Sequence, residues 1–150
     1  MNKTKKCICF CRVSTLGQDL VQQENAIIEE GKKLGYDEKN MIVIGKKESG
    51  ISLSSDEREG IIELKNHINN DSSIDCVICW ELTRIGRRPD VIYEMRDFFL
   101  ERKIQWVIMT PYMRLLEEDG TMSNTSSIVF GLFTTIAESE MRIKKERFAR

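Results

Sequence analysis

A serine and an arginine stand two positions apart near the amino terminus, directly after an apolar run. Cys7–Cys11 forms that run, Arg12 and Ser14 follow it, and an amphipathic stretch begins near Asp19. A loop between a buried strand and a helix is where α/β proteins usually bind ligands. The permanent charge of Arg12 suits a phosphate better than a carbonyl substrate. Ser14 is therefore a candidate nucleophile, the alternative being a serine that caps a helix.

Further arginines and a second serine follow the next two apolar runs. Ser49 and Arg58 come after the second run, and Arg84 and Arg87 after the third. Loops after parallel strands meet at one edge of a sheet, and clustered guanidinium groups need an anion to compensate them. A phosphodiester attacked by a serine oxygen fits, because arginines can hold the charge that develops. With His67 the only histidine and no metal-ligand spacing, we expect arginines in place of a metal, and no cofactor.

Apolar runs and amphipathic stretches alternate along the chain. This alternation predicts an α/β fold with a mainly parallel sheet of four to five strands, flanked by helices and followed by a long C-terminal oligomerisation helix. We expect a catalytic domain over residues 1–125 and the start of the long helix over 126–150. Ser55 or Asp56 is expected to cap the second helix, and Thr110–Asn124 to be a polar loop. Strands are expected at residues 7–11, 41–44, 76–80 and 104–109, with helices at about 19–35, 56–68 and 89–101.

Composition indicates one domain in a reducing compartment. The chain has 150 residues, 41% of them hydrophobic, which fits one domain. Its net charge is −1, from 23 Lys+Arg against 24 Asp+Glu, so the overall charge does not indicate a protein that binds polyanions. Its five cysteines lie inside apolar runs, and strand residues Cys76 and Cys79 would point to opposite faces, which disfavours a redox or metal role. Without a secretory segment or an 18-residue apolar span, we expect a cytoplasmic protein with no membrane contact.

The last predicted helix starts apolar on nearly all sides and ends strongly basic. This pattern favours a subunit contact followed by a polyanion contact, the alternative being a core helix with a solvated tail. The candidate interface residues are Val129, Leu132, Phe133, Ile136 and Glu140, and the candidate polyanion-binding residues are Arg142, Lys144, Lys145, Arg147 and Arg150.

Over essentially its whole length the chain resembles the serine recombinases of the resolvase/invertase type. Each motif is weak alone, but their order and spacing together are fairly specific. The motifs are Arg-Val-Ser-Thr at residues 12–15, Gln23, Ser49-Gly50 followed by Arg58, Asp75 before the third strand, Arg84-Ile85-Gly86-Arg87, Ala137-Glu138-Ser139-Glu140, and Glu146-Arg147.

The resemblance implies DNA cleavage by Ser14 through a 5′-phosphoserine link, which leaves a free 3′-hydroxyl, followed by strand exchange and religation. By the family's pattern, Arg12, Arg84 and Arg87 would hold the scissile phosphate. The site would be completed by Ser49, Arg58 and Gln23.

The resemblance also implies double-stranded DNA and further copies of the chain as partners. The long helix would form a homodimer, and two dimers a synaptic tetramer. A separate C-terminal DNA-binding domain is expected, and it is absent from these 150 residues.

Two positions depart from the family's pattern. Thr83 stands where the family often has Asp before the first arginine of its Asp-Arg-x-x-Arg motif, and Met141 follows Glu140 where Glu-Arg is frequent. The first departure leaves the acid/base scheme open. The pattern does not distinguish inversion, resolution, integration and transposition.

Two other classes of protein compete with this interpretation. A non-catalytic flavodoxin-like signalling or interaction domain would have the same fold, since fold alone does not give function, but a receiver-type site would have acidic strand ends. A small phosphoester hydrolase is disfavoured because Cys11-Arg12 does not supply a Cys-x5-Arg loop and no evident base activates water.

Overall fold

A computed structural model describes residues 5–11, 18–44, 53–81 and 89–149 of the chain; for helical residues 18–20, 53–58, 89, 133, 134, 137, 140, 141, 148 and 149 it describes the backbone only. The strands are β1 (Lys6–Phe10), β2 (Met41–Ile44), β3 (Ile74–Cys79), β4 (Gln105–Met109) and β5 (Tyr112–Arg114). The helices are α1 (Gln18–Lys33), a 3-10 turn (Glu38–Asn40), α2 (Leu53–Asn70), α3 (Pro89–Arg102) and α4 (Asn124–Ala149).

The five strands form one sheet in the order β2-β1-β3-β4-β5. Strands β1 to β4 pair in parallel, and β5 runs antiparallel to β4. The mainly parallel sheet expected from the alternation of elements is therefore confirmed.

Strand β5 lies where the sequence predicts only a loop, so that prediction is wrong. Met113 points into the core and is buried, while Tyr112 and Arg114 on either side of it are exposed. Leu115 and Leu116 are buried beyond the strand. The side chain of Gln105 pairs with the backbone of Leu116, donating to its carbonyl at 3.0 Å and accepting from its N–H at 2.8 Å. These long-range contacts stabilise a strand too short to show a period of its own.

The helices cover the two faces of the sheet unequally. On one face α1 packs over a small core that contains Ile27 and the cysteines of β1. On the other face α2, α3 and the first turns of α4 cover a larger core, in which Phe10, Phe99 and Trp106 are fully buried. The chain thus changes faces between α1 and α2, and the strand order reverses direction beside β1.

The cysteines divide between these two cores. Cys7, Cys9, Cys11 and Cys76 share the α1 side, whereas Cys79 faces the other core. All five are free and buried. The predicted alternation along β1 and the opposite orientation of Cys76 and Cys79 are both confirmed.

Two helices begin earlier than their sequence pattern suggests. Helix α2 starts at Leu53, so Ser55 and Asp56 lie inside its first turn and neither is its cap. Helix α4 starts at Asn124 because the hydroxyl of Ser123 accepts a hydrogen bond from the N–H of Ser126 at 3.1 Å, as an N-cap does. With 26 residues, α4 is roughly 39 Å long. Among the helices described, none is both long and apolar enough to cross a bilayer.

Candidate active site at the carboxyl edge of the sheet

The carboxyl ends of three strands lie side by side. Phe10, the last residue of β1, is in register with Ile44 at the end of β2 and with Cys79 at the end of β3. Neighbouring strands lie about 4.8 Å apart, so the segments that follow these residues leave the sheet within about 10 Å of one another. The middle segment, after β1, is the one that carries Arg12 and Ser14.

Most of the predicted site residues lie outside the described residues. Residues 12–17, 45–52 and 82–88 are the segments concerned, and they contain Arg12, Ser14, Ser49, Arg84 and Arg87. What the structure brings together is the set of strand ends from which these segments leave. Of the remaining two predicted residues, Arg58 is described by its backbone alone, within α2, and Gln23 is described completely.

This edge also contains the reversal of strand order. From β1 the chain moves to β2 on one side, and from β2 it crosses to β3 on the other side of β1. Open α/β sheets bind ligands outside the carboxyl ends of the strands at such a switch point. The strand order therefore predicts a ligand site at the carboxyl ends of β1 and β3, between which the switch point lies.

Gly60 brings α2 close to this edge. A Cβ atom at Gly60 would lie 3.1 Å from Cζ of Phe10, so any larger residue would press against the fully buried ring at the end of β1. Arg58 precedes Gly60 by two residues on the same helix. The close approach thus holds the backbone of Arg58 near the end of β1. Gly60 was not among the predicted residues, because its only signal in the sequence is an isolated glycine in a helical pattern.

Gln23 contributes a buried polar group on the second turn of α1. Its side chain is 8% exposed, and its Oε1 atom accepts no hydrogen bond within the described part of the chain. Leaving a buried acceptor without a donor destabilises a fold by about 1–3 kcal/mol, so buried polar atoms nearly always have a hydrogen-bond partner. The assignment of Gln23 to the site stays a prediction.

Two buried thiols of the sheet are poor nucleophiles. A hydrogen bond with Cys7, followed by burial, raises the pKa of Cys9 far above its ordinary value, and burial raises the pKa of Cys76. Both groups therefore stay protonated at neutral pH, and the reactive form of cysteine is the thiolate. Within residues 5–11, 18–44, 53–81 and 89–149, no group of three His, Cys, Asp or Glu side chains is arranged to hold a metal.

Asp75 lies away from the strand ends that define the site. It is the second residue of β3, not a residue before the strand as the sequence suggested, and so it lies near the amino edge. It accepts a hydrogen bond from the phenol of Tyr36, and the ammonium group of Lys5 is 3.6 Å away. Burial is the main cause that raises the pKa of Tyr36. These contacts give Asp75 a structural role between β3 and the end of α1.

Helix α4 exposes a stripe of apolar side chains. Ile128, Leu132 and Ile136 are 63%, 59% and 59% exposed, and Ile143 extends the same side of the helix. Val129 is half-buried, whereas Phe130 on the opposite side is buried against the body. The side chains of Phe133 and Glu140 lie outside the description. The first turns of α4 pack against the core, whereas Leu132 and Ile136 beyond Phe130 are exposed, so a subunit contact and a core helix with a solvated tail both stay open as predictions.

The basic end of α4 is also exposed. Arg142, Lys144, Lys145 and Arg147 all have exposed side chains, and Arg150 lies outside the described residues. The structure therefore leaves these cations accessible on a helix whose apolar stripe is also uncovered.

The sheet order and its strand ends define a doubly wound α/β domain of the class that binds substrate at the carboxyl edge. The model of the family described as "Resolvase, N terminal domain" matches residues 7–150, and the chain belongs to this family of site-specific recombinase domains.

Two solved structures are similar in fold. The N-terminal catalytic domain of TP901-1 integrase is 23% identical with a TM-score of 0.57, covering 93% of this chain and 98% of that one. A resolvase family site-specific recombinase from Streptococcus pneumoniae is 14% identical with a TM-score of 0.66, covering 97% of this chain and 95% of that one. No curated protein matches the chain.

Proposed function

We propose that this chain is the catalytic domain of a serine-type site-specific DNA recombinase and that Ser14 is its nucleophile. The observation that carries the proposal is the register of Phe10 with Ile44 and Cys79, because the segments that contain Ser14, Ser49 and the pair Arg84 and Arg87 follow these three neighbouring strand ends in the sequence. Family membership over residues 7–150 supports the same assignment.

The proposed reaction is a transesterification that needs no metal. The Ser14 hydroxyl oxygen bonds to the scissile phosphorus, the bond from phosphorus to the 3′-oxygen breaks, and the 3′-oxygen takes up a proton as the serine loses one. Arg12, Arg84 and Arg87 bind the non-bridging oxygens, where charge builds in the transition state. Ser49, Arg58 and Gln23 complete the site. Since one phosphodiester replaces another, the reverse reaction religates the strand without external energy.

We assign residues 1–125 to catalysis and residues from 126 onward to assembly and DNA contact. The exposed stripe of α4 is suited to packing against a second copy, in a dimer and then in a synaptic tetramer, because an uncovered apolar surface favours association. Arg142, Lys144, Lys145 and Arg147 follow that stripe and would contact phosphates. Phosphate contacts do not read sequence, so site selection is assigned to a separate C-terminal domain.

The test of the nucleophile is Ser14→Ala in the full-length protein on a supercoiled plasmid that carries the recombination site. The wild type is expected to give nicked or cut DNA that carries covalently bound protein on a denaturing gel. Ser14→Ala is expected to give none while remaining folded. An adduct that persists in Ser14→Ala and disappears in Ser49→Ala would show that Ser49, not Ser14, is the nucleophile. A wild-type protein that forms no adduct would favour a signalling or interaction domain.

The test of the phosphate contacts is replacement of Arg84 or Arg87 by Gln. Removing one transition-state donor typically costs about 100- to 1000-fold in rate, and we expect a loss of this size in single-turnover cleavage. Arg102→Gln is the matched control, because Arg102 ends α3 at the opposite edge of the molecule and stacks on Phe98 with its Cζ 3.7 Å from the ring centroid. Equal small losses in all three variants would contradict the assignment.

A further inference from the structure

Strands β1 and β3 keep their hydrogen bonds to neighbouring strands for one residue beyond their last residues. The N–H of Cys11 donates to the carbonyl of Ile44 at 2.8 Å, and the N–H of Thr110 donates to the carbonyl of Trp80 at 2.8 Å. Because the last residues of β1 and β3 are in register, Cys11 and Trp80 form the next pair along the two chain segments. The extended backbone therefore reaches further towards the candidate site than the strand bounds indicate.

The side chains of these successive pairs alternate between the two faces of the sheet. The last residues of β1 and β3 belong to the larger core, on the side of α2, whereas Cys11 and Trp80 pack in the small core under α1. Since side chains alternate along extended backbone, the residue after Trp80, which is Glu81, is directed back to the side of α2. The residue after Cys11 is Arg12, which lies outside the described residues.

Glu81 is a half-buried carboxylic acid at the carboxyl edge of the sheet. Its carbonyl accepts a hydrogen bond from the thiol of Cys79 at 3.4 Å, which keeps its backbone close to the end of β3. Carboxylates that are partly withdrawn from water are stabilised by a cation nearby. One residue past the pair of Cys11 and Trp80, the sequence supplies a carboxylate in one segment and the guanidinium of Arg12 in the other.

We propose that Glu81 is a positioning residue, which pairs with Arg12 across the ends of β1 and β3 and orients its guanidinium towards the scissile phosphate. The role rests on the proposed function, in which Arg12 binds that phosphate. Neighbouring strands lie about 4.8 Å apart, a separation that a carboxylate and a guanidinium bridge readily. A guanidinium that binds a carboxylate along one edge keeps its remaining N–H groups for phosphate oxygens. Arg12 ordered in this way loses less side-chain entropy when DNA binds.

The pair itself is tested by a double-mutant cycle in urea unfolding, without DNA. Glu81→Gln is expected to lower the urea midpoint of the wild-type chain, and to lower it less than about half as far in an Arg12→Gln background. Equal shifts in the two backgrounds would show that the side chains do not interact, and would overturn the inference. Because no cleavage is measured, a wild type that forms no covalent adduct overturns the proposed function and not this pair.

The positioning role is tested in single-turnover cleavage of the plasmid by the full-length protein. Glu81→Gln is expected to slow cleavage about 10- to 100-fold, because a misplaced contact is costly, while DNA affinity is kept or rises. Loss of a negative charge beside a phosphate would by itself strengthen binding and speed the reaction, so the sign of the rate change separates the two effects. In an Arg12→Gln background the further loss should be below about twofold.

Asp75→Asn is the matched control, because Asp75 is also a half-buried carboxylic acid beside β3 backbone but lies near the amino edge of the sheet. This variant should leave the cleavage rate of the folded protein nearly unchanged. The positioning role is overturned if Glu81→Gln cleaves as fast as the wild type or faster. It is also overturned if Asp75→Asn slows cleavage as much, or if Glu81→Gln costs the same with and without Arg12.

Discussion

The backbone of Gly60 in α2 lies directly against the ring of Phe10 at the end of β1, so that a Cβ atom at Gly60 would be 3.1 Å from Cζ of Phe10. This contact joins the helix that carries Arg58 to the strand that precedes Ser14. Because Phe10 is fully buried, its ring has little room to move away.

Gly60→Ala is expected to destabilise the domain although alanine is the better helix former. Overpacking of a buried site costs about 1–3 kcal/mol, and the gain in helix propensity offsets about 1 kcal/mol of this. We expect a net loss of about 1 kcal/mol in urea unfolding. A displaced α2 should also slow DNA cleavage at least about tenfold, since small misplacements of reacting groups are costly.

Gly131→Ala is the matched control for stability, because its Cβ atom meets nothing. It should stabilise the domain by about 1 kcal/mol, the opposite sign to Gly60→Ala. If both substitutions stabilised the domain to a similar extent, the close contact between Gly60 and Phe10 would not require a glycine.

Gln23→Met is expected to separate stability from activity. The substitution replaces a buried amide, whose Oε1 atom has no donor in the described part of the chain, by an apolar side chain of similar length. Removing an unsatisfied buried acceptor should leave stability unchanged or raise it by about 1 kcal/mol. If the amide orients an arginine of the site, cleavage should fall at least about tenfold. Unchanged single-turnover cleavage would remove Gln23 from the proposed site.

Tyr112→Phe is expected to weaken the attachment of α1 to the edge strand. The phenol of Tyr112 donates to the carboxylate of Glu30 at 2.5 Å and accepts from Nε of Arg114 at 3.0 Å. Glu30 is 8% exposed, so losing this donor leaves a buried carboxylate less well paired. Hydrogen bonds to charged groups contribute about 1.5–3 kcal/mol, and water that reaches the half-exposed Tyr112 favours the lower end of that range.

A double-mutant cycle isolates that interaction. In a Glu30→Met background, Tyr112→Phe should cost much less in urea unfolding than in the wild type. Equal costs in the two backgrounds would mean that the hydrogen bond contributes nothing to stability.

The five cysteines are expected to be unreactive in the folded protein. Each is at most 1% exposed, and the pKa values of Cys9 and Cys76 are raised, for Cys9 chiefly by a hydrogen bond with Cys7 and for Cys76 by burial. A thiol reagent should modify all five in denaturant and none at a comparable rate in the native state. Rapid modification of one thiol in the native protein would reopen a redox role for the cysteines.

Local sequence patterns were sufficient for most of the architecture. Strand β2 and the start of α3 at Pro89 agree with the prediction, because apolar runs and a proline in the first turn act through neighbouring residues. Strand β5 was not predicted because its three residues are held by β4 and by the side chain of Gln105. Local hydrophobic periodicity does not indicate such long-range contacts. Patterns among neighbouring residues therefore predicted the longer helices and strands but not the three-residue strand β5.

The candidate site divides in the same way. The residue types at Arg12, Ser14, Arg84 and Arg87 were enough to suggest phosphate chemistry, since guanidinium groups match the geometry of a phosphate. Their assignment to catalysis stays a prediction. What the sequence could not show was the closeness of α2 to β1, because a packing distance depends on residues that are far apart in the chain.

By itself, the sequence determined a parallel α/β domain with cationic segments after its strands and an apolar, then basic, final helix, because composition and periodicity are properties of consecutive residues. Only the tertiary structure decided that Phe10 ends beside Ile44 and Cys79, that Gly60 lies against Phe10, and that α4 exposes its apolar stripe. These relationships arise from strand register and side-chain packing, which are set by the whole fold at once.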